Sequence, residues 1–375
     1  MKILVICHEH PPVGGGAGMA ASNIARKLVD FGHTVHFVTT LYGGQKRSEQ
    51  LNGYDICRID IGRKYNYRSS VWEWMKFMIF GTMFTRSLIL RNRPDYIFAF
   101  FTLPAGFIAV TLKIMLNVPV LVSIRGQDLP GFCPEEYRLH HIFASPLFKY
   151  IWKKSNVVVV QSKRQLKKLV DYKISNLNYS PNGVDSNFFK PHYKKEHSDS
   201  VTILYSGRLT LQKNICWFIL IFNRLKNKIN RKVKFIIVGD GFEKKKLIKL
   251  VKELSLDSSV CFYPWCNRDE MLLWYQQSDI YVLPSLDEGM PNSITEAMAC
   301  GLAVVATRVS GTEELINHGD DGFLAEIDDA VAFENYLTIL ISDDAKREII
   351  CQNARLRSLN RSWGDVANKY ISSIV

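Results

Sequence analysis

The sequence predicts two doubly wound α/β domains in tandem. Short, almost continuously apolar segments alternate with longer segments of helical periodicity in both halves of the 375-residue chain. The apolar segments lack the polar alternation of half-exposed strands, which is typical of parallel sheets covered by helices on both faces. A turn-forming segment, Pro181-Asn182-Gly183, separates the halves. We therefore place the domain boundary between residues 180 and 181.

Apolar segments in each half predict the strands of the two sheets. In the first half these are residues 2–7, 33–40, 95–100, 119–124 and 156–161, and in the second half 201–206, 233–238, 260–263, 279–284, 302–307 and 322–325. Residues 17–31 have helical spacing and stop before Gly32, which predicts the first helix. Ligands of such sheets bind beyond the carboxyl ends of the strands, so candidate sites lie where strands pass into loops.

The composition excludes disordered, fibrous and membrane-spanning classes. Hydrophobic residues make up 47% and charged residues 22% of the chain, as in ordinary globular proteins. In the most apolar segment, residues 71–92, Lys76 and Arg86 leave nine uncharged residues between them. A bilayer span needs about 20. The apolar run at residues 1–7 is too short for a signal peptide.

The cysteines predict a reducing environment. They are scattered and include no C-x-x-C pair, which argues against a disulfide framework and against a zinc module. We expect most of them to be reduced thiols in the core. They are Cys7, Cys57, Cys133, Cys216, Cys261, Cys266, Cys300 and Cys351. The expected location is the cytoplasm, including the inner face of the cell membrane.

The net charge of +12 is concentrated in the first half. Residues 1–180 hold 24 Lys and Arg against 11 Asp and Glu, whereas residues 181–375 hold 24 against 25. This asymmetry predicts an anionic partner for the first half. No nucleic-acid recognition motif accompanies the charge, so we do not expect nucleic acid to be that partner.

A glycine-rich loop follows the first strand. Gly14, Gly15 and Gly16 allow a ligand to approach the backbone, and the helix that starts here favours an anion. A loose dinucleotide fingerprint is present, but the second strand ends in Thr39-Thr40 without the acidic residue that binds ribose. The alternative to a ligand site is a tight turn that requires glycine.

Two strand ends in the second half carry candidate phosphate-binding residues. Arg208 follows one strand, and Lys213 precedes a helix that Asn214 is placed to cap. A planar guanidinium and a point charge together suit a diphosphate, although solvated surface cations are the alternative. Gly239 and Gly241 flank Asp240 after the next strand and predict a tight turn that keeps the backbone near a ligand.

Two carboxylates flank the loop after the strand at 279–284. Glu288 precedes a predicted helix and Glu296 lies in its first turn. The exposed amides at this helix start favour phosphate, and carboxylates beside phosphate suit the hydroxyls of a sugar or ribose. The alternative is structural, because Ser293 and Glu296 also have the spacing of a capping box.

With these residues in place, the chain resembles the retaining glycosyltransferases of family GT4. Glu288 and Glu296 are similar to the family's E-x7-E motif. Further segments resemble its glycine loop, its interdomain segment, its donor-phosphate segment and the stretch after the glutamates. They are PPVGGGAG (11–18), SPNGVDSNFF (180–189), SGRLTLQKN (206–214) and SGTEELINHGDDGFL (310–324). The resemblance covers nearly the whole chain and implies the GT-B fold, in which two Rossmann-like domains face each other across a cleft.

The resemblance implies a nucleoside-diphosphate sugar as donor and no further cofactor, and we expect UDP rather than GDP. Arg208 and Lys213 would bind the diphosphate, Glu296 the ribose hydroxyls and Glu288 the sugar hydroxyls. The remaining implied donor and cleft contacts come from Gly239, from the backbone of Gly289, Met290, Pro291 and Asn292, and from Gly15 and Gly16.

The resemblance also implies a division of labour along the chain. Residues 1–180 would bind the acceptor and residues 181–361 the nucleotide-sugar. Residues 362–375 would form a helix that crosses back to the first domain.

Arg125 departs from the family's pattern. It stands where many members have a histidine, before Gly126 and Asp128. An arginine is not a base at neutral pH, but it can stabilise charge on the departing diphosphate or orient the acceptor. We therefore interpret Arg125, Asp128 and Glu288 as the catalytic residues. The alternative for the first two is a structural Arg–Asp pair, or an Asp128 that holds an acceptor hydroxyl.

No D-x-D motif occurs in the chain, so we expect no metal at the site. In its place, Arg208, Lys213 and a helix N-terminus would neutralise the diphosphate.

Residues 63–93 predict contact with an anionic membrane surface. Basic and aromatic or apolar residues are mixed there on one helical segment, which suits such a surface. The basic residues are Arg63, Lys64, Arg68, Lys76, Arg86, Arg91 and Arg93, and the others are Trp72, Trp74, Phe77, Met78, Phe80 and Phe84. The alternative is a core-facing helix with a solvated basic side.

The sequence therefore predicts a hexosyltransferase that acts with retention on a glycan acceptor, expected to be lipid-linked, in the synthesis of a bacterial-type surface polysaccharide such as lipopolysaccharide or capsule. Two alternatives remain: a nucleotide-sugar epimerase of the same fold, and an inactive GT-B membrane scaffold. The glutamate motif argues against the first, and intact candidate site residues argue against the second. Turnover of a panel of nucleotide-sugars separates all three.

Overall fold

The computed structural model describes residues 1–66, 68–126, 128–132, 134–192 and 199–375, and only the backbone of 134–140. It contains two compact units. The first unit comprises Met1–Gly183 and Trp363–Val375, and the second unit comprises Val184–Ser362. Each is an α/β domain built on a largely parallel sheet, which confirms the predicted fold class. The chain passes between units at residues 183–184 and 362–363, whereas the sequence placed these boundaries at 180–181 and 361–362.

The sheet of the first unit has the order β3-β4-β2-β1-β5-β6-β7-β8 in the described residues. Its strands are β1 Lys2–Ile6, β2 Thr34–Thr40, β3 Ser48–Leu51, β4 Tyr54–Ile59, β5 Tyr96–Phe100, β6 Val120–Ser123, β7 Val157–Val160 and β8 Leu177–Tyr179. Neighbouring strands are parallel except for β3, which pairs antiparallel with β4 at one edge.

Helices cover both faces of this sheet. They are α1 Gly16–Asp30, α2 Val71–Asn92, α3 Phe107–Leu116, α4 Pro134–Lys154, α5 Lys163–Asp171 and, from the end of the chain, α13 Trp363–Ser372. Successive residues of β1 point to opposite faces. Leu4 and Ile6 pack in one core with residues of α2, α3 and α4, while Ile3 and Val5 pack in another with residues of α1 and α13.

The second unit has a parallel sheet of order β11-β10-β9-β12-β13-β14 over its described residues. The strands are β9 Ser200–Ser206, β10 Lys232–Val238, β11 Val260–Tyr263, β12 Ile280–Leu283, β13 Ala303–Thr307 and β14 Phe323–Ala325. The helices are α6 Ile215–Lys228, α7 Lys244–Glu253, α8 Arg268–Gln277, α9 Asn292–Ala299, α10 Ser310–Leu315, α11 Ala330–Ser342 and α12 Asp344–Leu359.

The strand order identifies one ligand crevice in each unit. In the second unit, the chain leaves β9 towards β10 and β11 and later returns to the other side of β9 with β12. The loops after β9 and β12 therefore diverge at the carboxyl edge, which is where such sheets bind ligands. In the first unit the corresponding point lies between β1 and β5.

The expectation that most cysteines lie in the core is wrong for the described residues. Cys7 and Cys300 are buried, while the other described cysteines are half-buried, and none of these described cysteines forms a disulfide. The half-buried ones are Cys57, Cys216, Cys261, Cys266 and Cys351. Cys266 lies in the loop before α8, and the other four lie on helices or strands that have one side towards solvent. An apolar sequence neighbourhood does not show which residues face that side. Cys133 lies outside the described residues.

Candidate active site

The candidate donor site lies at the crevice of the second unit. Arg208 and Lys213 lie on the loop after β9, and Glu288 lies on the loop after β12. Glu296 lies on α9, the helix that the second loop leads into. The strand order thus brings two distant segments to one edge of the sheet and puts Lys213 of the first in contact with Glu288 of the second.

Gln212 joins the two loops. Its side-chain amide donates to the backbone carbonyl of Asp287 at 2.8 Å. Its backbone carbonyl accepts from the backbone amide of Leu286, also at 2.8 Å. The side chain is buried. Sequence reasoning missed Gln212, because a glutamine between two loop residues carries no signal that its partner lies 75 positions away.

Lys213 and Glu288 form an ion pair. The Lys213 ammonium donates to Glu288 Oε1 at 2.5 Å, and the two side chains are only 13% and 7% exposed. Each group compensates a charge that would otherwise be costly at this depth. The sequence assigned these residues to different parts of the donor, and the structure shows that they touch.

Arg208 lies next to this pair along the chain. It is half-buried, and within the described part of the chain its guanidinium makes no hydrogen bond or ion pair. Its backbone carbonyl accepts a hydrogen bond from the Tyr205 hydroxyl at 2.8 Å, which fixes the start of the loop. Its five donors are therefore available to an anion.

Glu296 is not part of a capping box. Helix α9 begins at Asn292, so Pro291 occupies the N-cap position and no side chain caps the helix. Ser293 lies inside the first turn, and Glu296 lies in the second turn rather than the first as we expected. The carboxylate instead accepts a hydrogen bond from the Tyr275 hydroxyl at 3.1 Å. Burial raises the pKa of Glu296 to about 7.

Asn214 occupies the N-cap position of α6 but does not cap it with its side chain. Its backbone is left-handed, with φ of 53°, because the short 3₁₀ turn at Leu211–Lys213 has to end there. The left-handed conformation directs its side chain away from the usual capping position.

Glycine at position 239 is required by loop packing. Its φ of +147° is rare for other residues, and a Cβ there would lie 1.9 Å from the carbonyl oxygen of Gly207. The two loops are also joined by the hydrogen bond from the Leu209 amide to the Asp240 carbonyl, at 2.9 Å. Gly239 thus fixes the loop that carries Arg208.

Replacing Gly239 with alanine should destabilise the second unit by about 2 kcal/mol and weaken nucleotide binding, because the loops have to separate. The matched control is Gly319→Ala, where φ is also positive at +85° but no atom lies within 4 Å of a new Cβ. The control should cost about 1 kcal/mol from backbone strain alone. Urea denaturation and calorimetric titration with a nucleoside diphosphate measure both effects. Equal costs in the two variants would contradict the role of the loop contact.

The segment Gly289–Asn292 links β12 to α9. Met290 and Pro291 are buried, so this segment offers a ligand mainly its backbone. Gly311, which sequence reasoning did not single out, supports it from α10, since a Cβ there would lie 2.5 Å from the Gly289 carbonyl oxygen. The only sequence signal was its place in the segment that follows the glutamate motif.

In the first unit, Glu9 fills the glycine-rich loop. Its carboxylate accepts from the Gly15 amide at 3.1 Å. A Cβ on Gly14 would lie 2.4 Å from Glu9, and one on Gly18 would lie 3.0 Å away. These two glycines are therefore required by a neighbouring side chain, whereas a Cβ on Gly15 would meet open space. Gly16 begins α1.

Arg125 follows β6 and is buried with both terminal nitrogens occupied. They donate to Asn182 Oδ1 and to the Tyr370 hydroxyl of α13, each at 2.9 Å. The guanidinium also lies 4.8 Å from the centre of the Phe100 ring. Asp128 binds the backbone amide of Arg125 at 2.9 Å rather than its guanidinium. Burial raises the pKa of Asp128 to about 7.

Arg63 and His8 form a second buried group that the sequence did not predict. The Arg63 guanidinium donates to the carbonyls of His8 and Tyr65, at 3.1 and 3.0 Å. Arg63 is therefore not on the surface, where we had placed it with the other basic residues of 63–93. Burial lowers the pKa of His8 well below its usual value.

Only residues 71–92 of that segment form a helix, so Lys64, Arg68 and Arg93 lie outside α2, contrary to the single helical segment that we expected. The aromatic and apolar residues divide between two sides of α2. Phe77 lies in the core, and Trp74 and Met78 are half-buried. Trp72, Phe80 and Phe84 are exposed. In the part of the chain that the structure describes, no helix is long and apolar enough to cross a bilayer. Within the same residues, no group of three or more His, Cys, Asp or Glu side chains is placed to hold a metal ion.

Two family profiles match the chain and together cover residues 14–357. Residues 14–188 match the profile described as Glycosyltransferase Family 4. Residues 188–357 match the profile described as Glycosyl transferases group 1. The two matches meet close to the division between the structural units.

Individual proteins show the same similarity. The N-acetyl-alpha-D-glucosaminyl L-malate synthase of Bacillus anthracis is 24% identical over 95% of this chain and 91% of its own. The UDP-Gal:alpha-D-GlcNAc-diphosphoundecaprenol alpha-1,3-galactosyltransferase of Escherichia coli is 32% identical over 48% of this chain and 49% of its own. The structure of a sucrose-phosphate synthase from Thermosynechococcus elongatus superposes with a TM-score of 0.86 at 20% identity, covering 99% and 98% of the two chains.

Proposed function

Because the chain belongs to glycosyltransferase family 4 and has the GT-B fold, we propose that it transfers a hexose, with retention of configuration, from a nucleoside-diphosphate sugar to a glycan acceptor. The observation that carries this proposal is the Lys213–Glu288 ion pair beside Arg208 at the crevice of the second unit. In this pair, a cation for a diphosphate and a carboxylate for sugar hydroxyls lie within hydrogen-bond distance of each other.

The donor binds with its diphosphate on Arg208 and Lys213 and its ribose on Glu296. The guanidinium of Arg208 has its donors available, and the ammonium of Lys213 has donors beyond the one it gives to Glu288. Glu288, whose carboxylate is held by Lys213, then accepts from hydroxyls of the sugar. The backbone of Gly289–Asn292 and the N-terminus of α9 complete the site.

Departure of the diphosphate is the step that these charges favour. As the bond between the sugar and the diphosphate breaks, negative charge grows on the leaving oxygens. Arg208, Lys213 and the amides at the start of α9 stabilise that charge. Arg125, which the sequence suggested as catalytic, has both terminal nitrogens bound to Asn182 and Tyr370, and this favours a structural role in the first unit.

Transfer should survive a chelator such as EDTA. Arg208, Lys213 and a helix N-terminus neutralise the negative charge of the diphosphate, so a divalent cation is not needed there. The rate of transfer is measured with EDTA alone and after adding magnesium or manganese. Loss of transfer in EDTA that either cation restores would contradict this prediction.

The donor panel and the product test the function itself. We expect turnover with a UDP-sugar rather than a GDP-sugar, in line with the UDP-Gal in the name of the Escherichia coli relative. The anomeric coupling of the product, read by NMR, should match that of the donor. An inverted coupling would overturn retention. Isomerised nucleotide-sugar without transfer would favour an epimerase, and no turnover of any donor would favour an inactive scaffold.

For the acceptor, we propose a lipid-linked glycan presented at an anionic membrane surface in polysaccharide synthesis. The same relative is named for a diphosphoundecaprenol-linked substrate. Helix α2 exposes large apolar side chains at a spacing of three, four, four and seven residues, which places them on one side. They are Trp72, Met75, Ile79, Met83 and Leu90, and Lys76 and Arg86 are exposed among them. This combination suits an anionic interface.

The double variant Trp72→Ser/Met83→Ser should weaken binding to vesicles of phosphatidylglycerol and phosphatidylcholine at least about tenfold, because each loses buried apolar area. Ile349→Ser/Leu356→Ser on α12 is the matched control, since these side chains are similarly exposed. Co-sedimentation measures the bound fraction, which should also fall at high salt. Equal binding by both double variants would rule out α2 as the contact surface.

A further inference from the structure

Glu296 has one hydrogen-bond donor among the described residues, the Tyr275 hydroxyl. A carboxylate offers about four lone-pair positions, and Tyr275 uses one of them on Oε2. Glu296 lies half-buried on α9, and no cation lies within ion-pair distance of it in the described ranges. The remaining acceptor positions match the two adjacent hydroxyls of a ribose.

Tyr275 is itself held in place by a buried chain of hydroxyls. It lies on α8 and is fully buried. Ser206 Oγ lies 3.2 Å from the Tyr275 hydroxyl and 3.3 Å from that of Tyr281. The Tyr281 hydroxyl donates its proton to the Ser206 carbonyl at 3.1 Å. Tyr275 donates its proton to Glu296 and Tyr281 donates its proton to the Ser206 carbonyl, so one proton, that of Ser206 Oγ, remains for the two tyrosine oxygens. Donated to Tyr275, it holds that oxygen while the Tyr275 proton is directed at Glu296.

We propose that Tyr275 is a positioning residue for donor recognition, which holds the Glu296 carboxylate so that it accepts both ribose hydroxyls of the nucleotide. This inference rests on the proposed role of Glu296 in ribose binding. Tyr275 contacts the carboxylate and not the ligand, so its effect should depend on the ribose. The loss of a merely structural hydroxyl would weaken all nucleotides alike.

The environment of Glu296 adds a dependence on pH. Burial raises its pKa to about 7, whereas the Tyr275 hydrogen bond and the charge of Arg268 act in the opposite direction. The other titratable groups facing it are Tyr275 on α8, Tyr281 on β12 and Cys300 just after α9, and burial raises the pKa of all three. These groups stay neutral near pH 7. Only ionised Glu296 accepts two hydroxyl donors, so ribose recognition should strengthen as pH rises through 7.

The test compares UDP with 2′-deoxy-UDP by calorimetric titration between pH 6 and 8. We compare the dissociation constant of 2′-deoxy-UDP divided by that of UDP. Titration of the diphosphate affects both constants equally and therefore does not change this ratio. In the wild type, this ratio should be greater than one, because UDP binds more tightly, and it should increase with pH. In Tyr275→Phe the ratio should fall about tenfold at neutral pH, the scale of a hydrogen bond to a charged group. Loss of the Tyr275 donor should also raise the pKa of Glu296, so the ratio in this variant should increase only at higher pH.

Tyr281→Phe is the matched control, since it removes an equally buried hydroxyl of the same chain that does not touch Glu296. It should leave the ratio as in the wild type. Ser206→Ala is a smaller change that removes the hydroxyl contact to Tyr275, so the Tyr275 hydroxyl can rotate away from Glu296. The ratio in this variant should fall about threefold. It serves as the decisive variant if Tyr275→Phe does not fold.

Three results would overturn the inference. A wild type that binds both ligands equally overturns the ribose role of Glu296 and, with it, that of Tyr275. A wild type that discriminates, together with a Tyr275→Phe that discriminates equally, overturns Tyr275 alone. Where Tyr275→Phe does not fold, an unchanged ratio in Ser206→Ala has the same meaning.

Discussion

Lys213→Ala should lose transfer activity by on the order of 10²- to 10³-fold, the scale of removing one preorganised donor to a developing charge. It should also destabilise the second unit by about 3 kcal/mol, because Glu288 is then a buried carboxylate without a partner. Both effects follow from one contact. Single-turnover kinetics measure the first effect, and urea denaturation measures the second.

A second variant separates the two effects of Lys213. In Lys213→Met/Glu288→Gln both charges are absent, so no charge is left buried alone and stability should return towards that of the wild type. Activity should stay low, because the diphosphate still lacks the ammonium. A Lys213→Ala protein with normal turnover and normal donor affinity would remove Lys213 from the site.

Glu296→Gln should bind the nucleoside diphosphate at least tenfold more weakly, about 1.4 kcal/mol, with an almost unchanged melting temperature. Glutamine can still accept from Tyr275, and Glu296 does not cap α9, so the fold loses little. For the ribose, however, glutamine offers one acceptor oxygen and an unwanted pair of donors. Free UDP is the suitable probe, since it contains the ribose and no sugar.

Glu288→Gln is the informative comparison for Glu296→Gln. It should reduce turnover more than it reduces binding of UDP, because Glu288 contacts the sugar. Glu296→Gln that binds UDP as tightly as the wild type, with only its stability reduced, would show that the ribose assignment is wrong.

The sequence predicted the sheets well where strands are buried on both faces. Their continuous apolar character leaves few alternatives, as for β1 and β12. Three strands were not predicted, and each lies at or next to an edge of the first sheet. Polar Ser48-Glu49-Gln50 in β3, alternating β4 and the three-residue β8 owe their conformation to pairing with a neighbour.

The candidate site was predictable to the extent that it lies at strand ends. Arg208, Lys213 and Glu288 were found because each follows a strand and lies near glycine or a helix start. Gln212 and Tyr275 were missed because their importance depends on partners 75 and 21 positions away. Local spacing gave no sign of either contact.

Prediction from a local motif failed where the same residue spacing is compatible with two different local structures. Ser293 and Glu296 have the spacing of a capping box, but the same spacing occurs one turn into a helix that starts at Asn292. In residues 63–93, composition alone did not reveal where α2 begins or which side of it faces the core. It therefore grouped Arg63, which is buried before the helix, and Phe77, which is buried on it, with the exposed Trp72.

Because α13 belongs to the first unit, the core of that unit can be completed only after the second unit has been synthesised. Trp363, Val366, Ala367 and Tyr370 complete one core of a unit whose other residues lie before position 184. On the ribosome, the second unit has its whole chain available while the first still has an open apolar face. The unit that contributes the earlier residues is thus completed after the other, and Arg125 lacks its hydrogen bond to the Tyr370 hydroxyl until α13 has been synthesised.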